Sequence, residues 1–343
     1  MALYNTLDAK ELRRKLELEQ FKRKTLSFYR YIRIDNPQEF RDNLYREWSD
    51  LNCFGRIYVA KEGINAQMSV PESNVDTFLN QLRSHELLKN LQVRFAIEDD
   101  GKSFFKLSLK VRPKLVADGL EDDSYDVSNV GNHLSPIEFH NLIGNSDTLV
   151  VDMRNHYESE VGKFENAICP KSETFREELL IATELLKDNK DKKILLYCTG
   201  GIRCEKASAY FKHQGFADVN QLYGGILEYA QVIKATGLKS KFTGKNFVFD
   251  GRLGERVTDE IISHCHQCGK LCDTHTNCAN DDCHLLFIQC DECKTKYDAC
   301  CSADCKNINS LSEEEHAKYR LNTILNTTTR TFQSHRQVTS FIK

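Results

Sequence analysis

No run of apolar residues in the chain approaches the roughly eighteen that a transmembrane helix needs. Residues 1–24 carry charge but no apolar core, so they do not read as a secretory signal. The expectation is a cytoplasmic protein with no membrane span. Neither sign of charge dominates: the formal net charge is −3 over 343 residues. That gives no general pull toward nucleic acid, and any RNA contact has to come from a local patch. No Gly-rich dinucleotide fingerprint is present, so no nucleotide cofactor is evident. No facial His/carboxylate triad is present either.

What the chain does have is cysteine, 14 residues of it. In a reducing compartment that points to thiol or metal chemistry rather than to disulfides. One cysteine stands in a setting of its own. Ile194, Leu195, Leu196 and Tyr197 form an apolar run without polar alternation, as in a strand buried on both faces of a parallel sheet. Cys198 follows, then Thr199, Gly200, Gly201, Ile202 and Arg203, and residues 203–213 read as a helix stopped by Gly215. A cysteine in a tight loop between strand and helix meets converging backbone N–H groups and the positive end of the helix. Both favour the thiolate, which is the nucleophilic form. Arg203 adds a fixed charge. The bland alternative, a buried structural cysteine, is the usual reading of a lone Cys. Cys, two Gly and Arg in one loop weigh against it.

A chain of 343 residues exceeds one ordinary core and suggests two or three domains. Residues 1–25 hold a charged helix over 8–24, for which a solvated face is at least as good a reading as RNA contact. Within residues 26–115, strands at 26–34, 55–60, 64–70 and 92–97 alternate with helices at 37–51 and 72–82. This βαββαβ order predicts a ferredoxin-like α+β sandwich, a fold that names no function. Phe40, Leu44, Tyr45 and Trp48, at helical spacing, read as core rather than as a base-stacking platform. Lys61, Glu62 and Asn65, at the turn between the middle strands, either line a site or are solvated. A further strand is predicted at 104–111.

Residues 116–133 are acidic and irregular, as in a linker. Over 134–236, strands and helices alternate: a helix start at Ser135, a strand at 149–152, a helix at 174–187, the cysteine strand, a strand at 218–222 and a helix opening at 223–226. That pattern predicts a parallel α/β sheet. Its ligands sit at the carboxyl ends of strands, where Asp152, Arg154 and Cys198 all fall. Residues 237–260 form a basic connector with Phe242, Phe247 and Phe249 interleaved. Binding of single-stranded nucleic acid and packing on the preceding domain account for it equally well.

Residues 261–308 hold ten of the 14 cysteines. Cys265-His-Gln-Cys268 and Cys290-Asp-Glu-Cys293 are CxxC pairs, whose two-residue gap lets both thiolates turn onto one tetrahedral zinc ion. The predicted pairing puts Cys265, Cys268, Cys290 and Cys293 in one site, and Cys278, Cys283, Cys301 and Cys305 in a second, interleaved one. Cys272, Cys300, His264, His266, His275 and His284 are candidate substitutes, and a redox cluster or iron–sulfur centre is the alternative. So short a segment has little apolar material, and metal would supply its folding energy. Residues 309–343 form a tail that carries no acid after Glu315. It reads as disordered and as a candidate RNA-contacting arm.

The loop Cys198-Thr-Gly-Gly-Ile-Arg203 resembles the active-site loop of rhodanese domains, whose cysteine carries a persulfide. Four residues separate Cys198 from Arg203. The related Cdc25-type and tyrosine phosphatases place one more there, in a wider loop that fits phosphate, so sulfur chemistry is favoured. Val150-Val-Asp-Met-Arg-Asn-His-Tyr-Glu158 and Gly162-Lys-Phe-Glu-Asn-Ala167 resemble the other rhodanese signature.

The whole order of segments resembles one family, the bacterial rhodanese-domain tRNA uridine hydroxylases. The matching stretches include Gly55-Arg-Ile-Tyr-Val-Ala-Lys-Glu-Gly-Ile-Asn-Ala-Gln67, Tyr197-Cys-Thr-Gly-Gly-Ile-Arg-Cys-Glu-Lys-Ala207, Lys245-Asn-Phe-Val-Phe-Asp250 and His264-Cys-His-Gln-Cys-Gly269. The resemblance runs from about residue 27 to about residue 305, and Cys169 departs from the family pattern. It implies oxygen-dependent formation of 5-hydroxyuridine at the wobble position. Molecular oxygen is then the cosubstrate and the tRNA anticodon loop the partner, while structural zinc rests on the cysteine spacing. It implies Cys198 as the essential, persulfide-type cysteine, with Arg203 in its loop. Cys204, also in the family motif, either resolves an oxidised or persulfidated Cys198 by forming a disulfide or packs in the helix. Addition of Cys198 to C6 of the uracil, making C5 electron-rich, is one hypothesis for the chemistry. A persulfide sulfurtransferase and a non-catalytic, zinc-stabilised RNA-binding module remain as other readings.

Overall fold

The computed structural model describes residues 3–5, 7–122 and 124–324. Asp8 caps α1 (Ala9–Glu17) by accepting from the N–H groups of Lys10 and Glu11 at 2.8 and 2.9 Å. The helix stops well short of residue 24, where its charge pattern predicts the end, because Arg23 is drawn into the sheet. The Arg23 guanidinium is buried, 2.6 Å from Glu19 and 3.8 Å from the centre of the Phe54 ring. Tertiary contact overrides local propensity there.

The next elements are β1 (Arg23–Tyr31), α2 (Pro37–Asp50), β2 (Phe54–Ala60), β3 (Gly63–Pro71), α3 (Val75–Ser84), β4 (Arg94–Phe95) and β5 (Leu107–Val111). The sheet runs β4-β1-β3-β2 with antiparallel neighbours, and β5 is added parallel to β2. This is the predicted ferredoxin-like sandwich with one extra strand. Side chains alternate between its faces. Leu26, Phe28, Ile57, Val59, Ile64, Ala66 and Met68 face the helices and are at most 2 % exposed. They pack on Leu44, Trp48 and Phe78, with Trp48 edge-on to Phe28 at 6.1 Å, so the α2 aromatic stripe is core. Full burial of each such side chain contributes about 1.5–3 kcal/mol. The opposite face carries Tyr29, Tyr58, Asn65 and Gln67, and the second domain docks on it.

In that second domain β6 (Asn132–Leu134), β7 (Thr148–Asp152), β9 (Lys193–Tyr197) and β10 (Asp218–Leu222) form a parallel sheet of order β6-β10-β9-β7. Ile194 and Leu196 join α6 (Phe175–Leu185) and α7 (Ile202–His213) in one core. Leu195 and Tyr197 join α4 (Pro136–Leu142) and α8 (Gly225–Thr236) in another. With helices on both faces, the β9 run has no reason to alternate.

The acidic stretch 116–133 is tied down. Asp118 and Tyr125 are buried, and Lys206 Nζ lies 3.0 Å from both Glu62 and Asp118, joining sandwich, connecting stretch and α7. Residues 237–260 are strands rather than a free connector. β11 (Phe242–Asn246) pairs with β8 (Gly162–Phe164) and with β12 (Glu255–Arg256). A Cβ on Gly162 would stand 2.1 Å from the Lys245 carbonyl oxygen, so only glycine allows that pairing. Phe242 and Phe247 are buried against the preceding domain, which removes them as base-stacking candidates; Phe249 stays exposed.

The Cys-rich segment holds the hairpin β13 (His275–Asn277) and β14 (Leu286–Ile288), then α9 (Asp291–Lys296) and α10 (Ala303–Asn309). The tail expected to be disordered carries α11 (Glu313–Ile324) instead. The rest of the proposed RNA-contacting arm lies outside the described residues. No described helix is long and apolar enough to cross a membrane.

Candidate active site

Cys198 leaves the end of β9 into the loop that opens α7. Gly201, at φ +104°, turns that loop so that its N–H donates to Cys198 Sγ at 3.2 Å. The Cys204 thiol and N–H also act on the same sulfur and favour its thiolate, while that N–H donates to the Gly201 carbonyl at 3.0 Å. Burial raises the Cys198 thiol. The Cys204 thiol, the Arg203 charge and the two N–H groups outweigh burial and bring it down to about 6. Cys204 is fully buried and shifted the opposite way, by burial and by the neighbouring Cys198, so it keeps its proton and donates it.

Arg203 is not a free anion receptor. Its two terminal nitrogens meet the Glu158 carboxylate at 2.6 and 2.9 Å, and one also reaches Thr199 Oγ1 at 3.2 Å. Sequence reasoning missed Glu158. It sits in the third turn position of α5 (His156–Ser159), in a capping box with Asn155, and is fully buried. The Asn155-x-x-Glu158 spacing was the available signal. Asp152 and Arg154 are likewise committed elsewhere. They form a buried two-point pair at 2.8 and 2.7 Å. Tyr197 donates to Asp152 at 2.7 Å, and Arg154 donates to the Gly162 carbonyl at 2.7 Å. Their hydrogen bonds hold β7, β8 and β9 together. Gly200 and Ile202 line the cleft with the cysteine. The departing Cys169 sits apart, with a thiol that burial pushes up to about 11.

The cleft over Cys198 has a volume of about 350 Å³. One wall is the loop Cys198–Arg203. The other is the helix-free face of the sandwich, with Tyr29, Tyr58, Asn65 and Gln67; Phe249 and Arg56 border it. Tyr29 ties the walls together, donating to Glu205 on α7 at 2.9 Å. A Cβ on Gly201 would stand 2.7 Å from the Tyr29 oxygen, so the loop abuts the sheet directly. Of the three turn residues considered in the sequence, Asn65 lines this cleft, Glu62 pairs with Lys206, and Lys61 is exposed.

In the C-terminal segment the sulfurs of Cys265, Cys268, Cys290 and Cys293 lie within 4.8 Å of one another, as do those of Cys278, Cys283, Cys301 and Cys305. Cys268 and Cys290 are 3.6 Å apart, as are Cys283 and Cys301, and Cys301 and Cys305. A tetrahedron with metal–sulfur bonds of about 2.3 Å has edges of about 3.8 Å, whereas a disulfide is about 2.05 Å long. Four sulfurs at such spacing fit a thiolate-bound zinc ion. Cys272, Cys300 and the four nearby histidines fall outside both sets.

Family models match three stretches of the chain. The one described as UPF0176 acylphosphatase like domain matches residues 23–115, the Rhodanese-like domain matches 135–231, and the Rhodanase C-terminal matches 243–306. A protein of Leptospira interrogans named tRNA uridine(34) hydroxylase is 56 % identical over 318 residues, covering 93 % of this chain and 87 % of that protein. Proteins of Photorhabdus laumondii and Yersinia pestis bear the same name. Each is 53 % identical over 319 residues, covering 93 % of this chain and 91 and 90 % of theirs.

Proposed function

Because this chain belongs to the tRNA uridine(34) hydroxylase family, we propose that it adds one oxygen atom from O2 to C5 of the wobble uridine in the tRNA anticodon loop, with Cys198 as the residue that attacks the base. The observation that carries this reading is the lowered Cys198 thiol facing a two-walled cleft. A thiolate that adds to C6 of uracil forms an S–C6 bond and moves the C5–C6 electron pair onto C5 and O4. With O2 brought to the peroxide level by an external two-electron donor, C5 attacks one peroxide oxygen, the O–O bond breaks and the other oxygen leaves as hydroxide; loss of the C5 proton to that hydroxide then expels the thiolate and forms water. An anticodon loop presents unstacked bases, so no duplex has to open. Arg56, Lys110 and Arg112 flank the Tyr58 side of the cleft and have no acidic partner among the described residues. Such cations suit the RNA backbone. Cys204 is the partner for a disulfide when Cys198 is oxidised. Thr199 and Glu158 hold Arg203, whose charge stabilises the thiolate. The eight clustered cysteines hold two structural zinc ions. A cytoplasmic setting follows from the tRNA substrate.

The test incubates purified protein with tRNA lacking wobble modification, in air and under nitrogen, and weighs the digested nucleosides. A uridine that gains one oxygen only in air, and only with Cys198 present, is the expected result. Thiosulfate and cyanide turnover without any hydroxylated uridine would replace this reading with sulfur transfer.

A further inference from the structure

The sandwich face opposite its helices is ordered in two cross-strand rows. Tyr29, Asn65, Tyr58 and Lys110 stand side by side on β1, β3, β2 and β5. Ser27, Gln67, Arg56 and Ser108 form the next row. Neighbouring strands are about 4.8 Å apart, so each row is a contiguous strip of side chains. In its centre Gln67 Nε2 donates to Asn65 Oδ1 at 2.8 Å. That bond leaves the Gln67 oxygen free to accept and the Asn65 amide nitrogen free to donate. If both amides are turned over, the pair still presents one free acceptor beside one free donor. Both side chains are half-buried and line the Cys198 cleft.

A donor beside an acceptor complements the imide edge of uracil, where N3–H donates and O4 accepts. N3 lies across the ring from C6. A base held on the sheet by its imide edge therefore turns C6 away from the sheet, toward the opposite wall. That wall is the loop carrying Cys198, and Tyr29 braces the two walls against each other. A tyrosine stands on each side of Asn65, offering a ring to the base faces.

We infer that Asn65 and Gln67 recognise the imide edge of the target uracil, so that the N-terminal sheet is the base-reading half of the site and the Cys198 loop the reacting half. This rests on the function proposed above. The assignment explains why the sandwich docks by its polar face, and it gives the two amides a specificity role. Cytosine has no N3–H and carries an amino group in place of O4. With Gln67 donating to Asn65, it leaves the Gln67 oxygen facing a ring-nitrogen lone pair; turned over together, the two amides match cytosine instead, so the orientation of the pair sets which pyrimidine is read.

The test measures alkylation of Cys198 by iodoacetamide in the full-length protein. The probes are an anticodon stem-loop RNA with uridine at position 34 and the same RNA with an abasic nucleotide there. The wild-type protein is expected to be alkylated at least about fivefold more slowly with the uridine RNA, the scale on which a two-point base contact discriminates. The Asn65→Ala/Gln67→Ala variant is expected to show equal rates with the two RNAs. Without RNA its alkylation rate should match the wild type, which shows that the cleft and thiolate are intact. Equal protection by the two RNAs in the wild type, or undiminished discrimination in the variant, overturns the inference. Hydroxylation is scored separately. Base-dependent protection without any hydroxylated uridine would leave the reading site standing and sink the proposed reaction.

Discussion

Cys198 and the eight clustered cysteines near the C-terminus carry one functional group in two unlike surroundings. Around Cys198 the neighbours are N–H groups, a protonated thiol and an arginine held by Glu158. These are fixed dipoles and charges on one side of the sulfur, and the other side faces the cleft. Around Cys290 or Cys301 the neighbours are three more sulfurs, an arrangement that suits a bound metal cation. The first arrangement makes a thiolate that can attack. The second suits thiolates that share a metal ion and hold the chain. Cysteine count therefore says little until the counter-charge of each sulfur is known, and the two regions should fail in different ways.

The largest effect is expected in the cluster region. Cys290→Ala and Cys301→Ala should each remove one of two metal ions per chain, read by elemental analysis. Structural zinc contributes about 10–16 kcal/mol to small zinc-bound folds, so residues 261–308 should become sensitive to limited proteolysis. Alkylation of Cys198 should persist, because its donors all lie in the rhodanese-like domain. Full metal content in either variant would break the comparison on this side. In the other region, Cys198→Ser should reduce hydroxylation to background while metal content holds. Residual turnover in that variant would show that the sulfur is not the attacking group.

Glu158→Gln tests the arginine that separates the two settings. Breaking a buried ion pair by removing one partner costs about 3–5 kcal/mol, because the remaining charge is left buried. Denaturant unfolding should show that loss, and Gln should recover part of the hydrogen bonding that Ala would forfeit. A stability equal to the wild type would mean that Arg203 finds water or another partner.

How much of this could be read from the sequence depended on how local each feature is. The β9 run, its glycine loop and the CxxC gaps are set by a few adjacent residues, and they are visible as patterns. The same holds for the βαββαβ order, which hydrophobic alternation marks out. Glu158 was not visible as the partner of Arg203, because that pair joins α5 to α7 and no spacing rule connects them. The burial of Phe242 and Phe247 depends on β11 finding β8, which the basic composition of the stretch conceals. Asp152 and Arg154 were placed correctly at a strand end, yet they turn on each other rather than on the cysteine. Least visible of all was the docking of a polar sheet face onto the Cys198 loop. Tyr29, Asn65 and Gln67 look like solvated strand positions until the second domain covers them.

The smallest effect expected is a shift in acidity, and it bears on why the Cys198 side of the comparison works. The iodoacetamide rate follows the thiolate fraction, so in the wild type it should be half-maximal near pH 6 and flat above it. Removing one donor by Cys204→Ala should move the midpoint upward, toward an ordinary thiol, and slow alkylation at pH 6 while leaving the high-pH plateau unchanged. The linked stability has a definite sign. Cys198 is lowered in the folded chain, so its contribution is fully present above the ordinary thiol value of 9.0 and is lost as pH falls through about 6. Between those limits the wild type should gain stability over Cys198→Ser as pH rises. A midpoint that stays put in Cys204→Ala would assign the lowering to Arg203 and the loop N–H groups alone, and would leave Cys204 as packing.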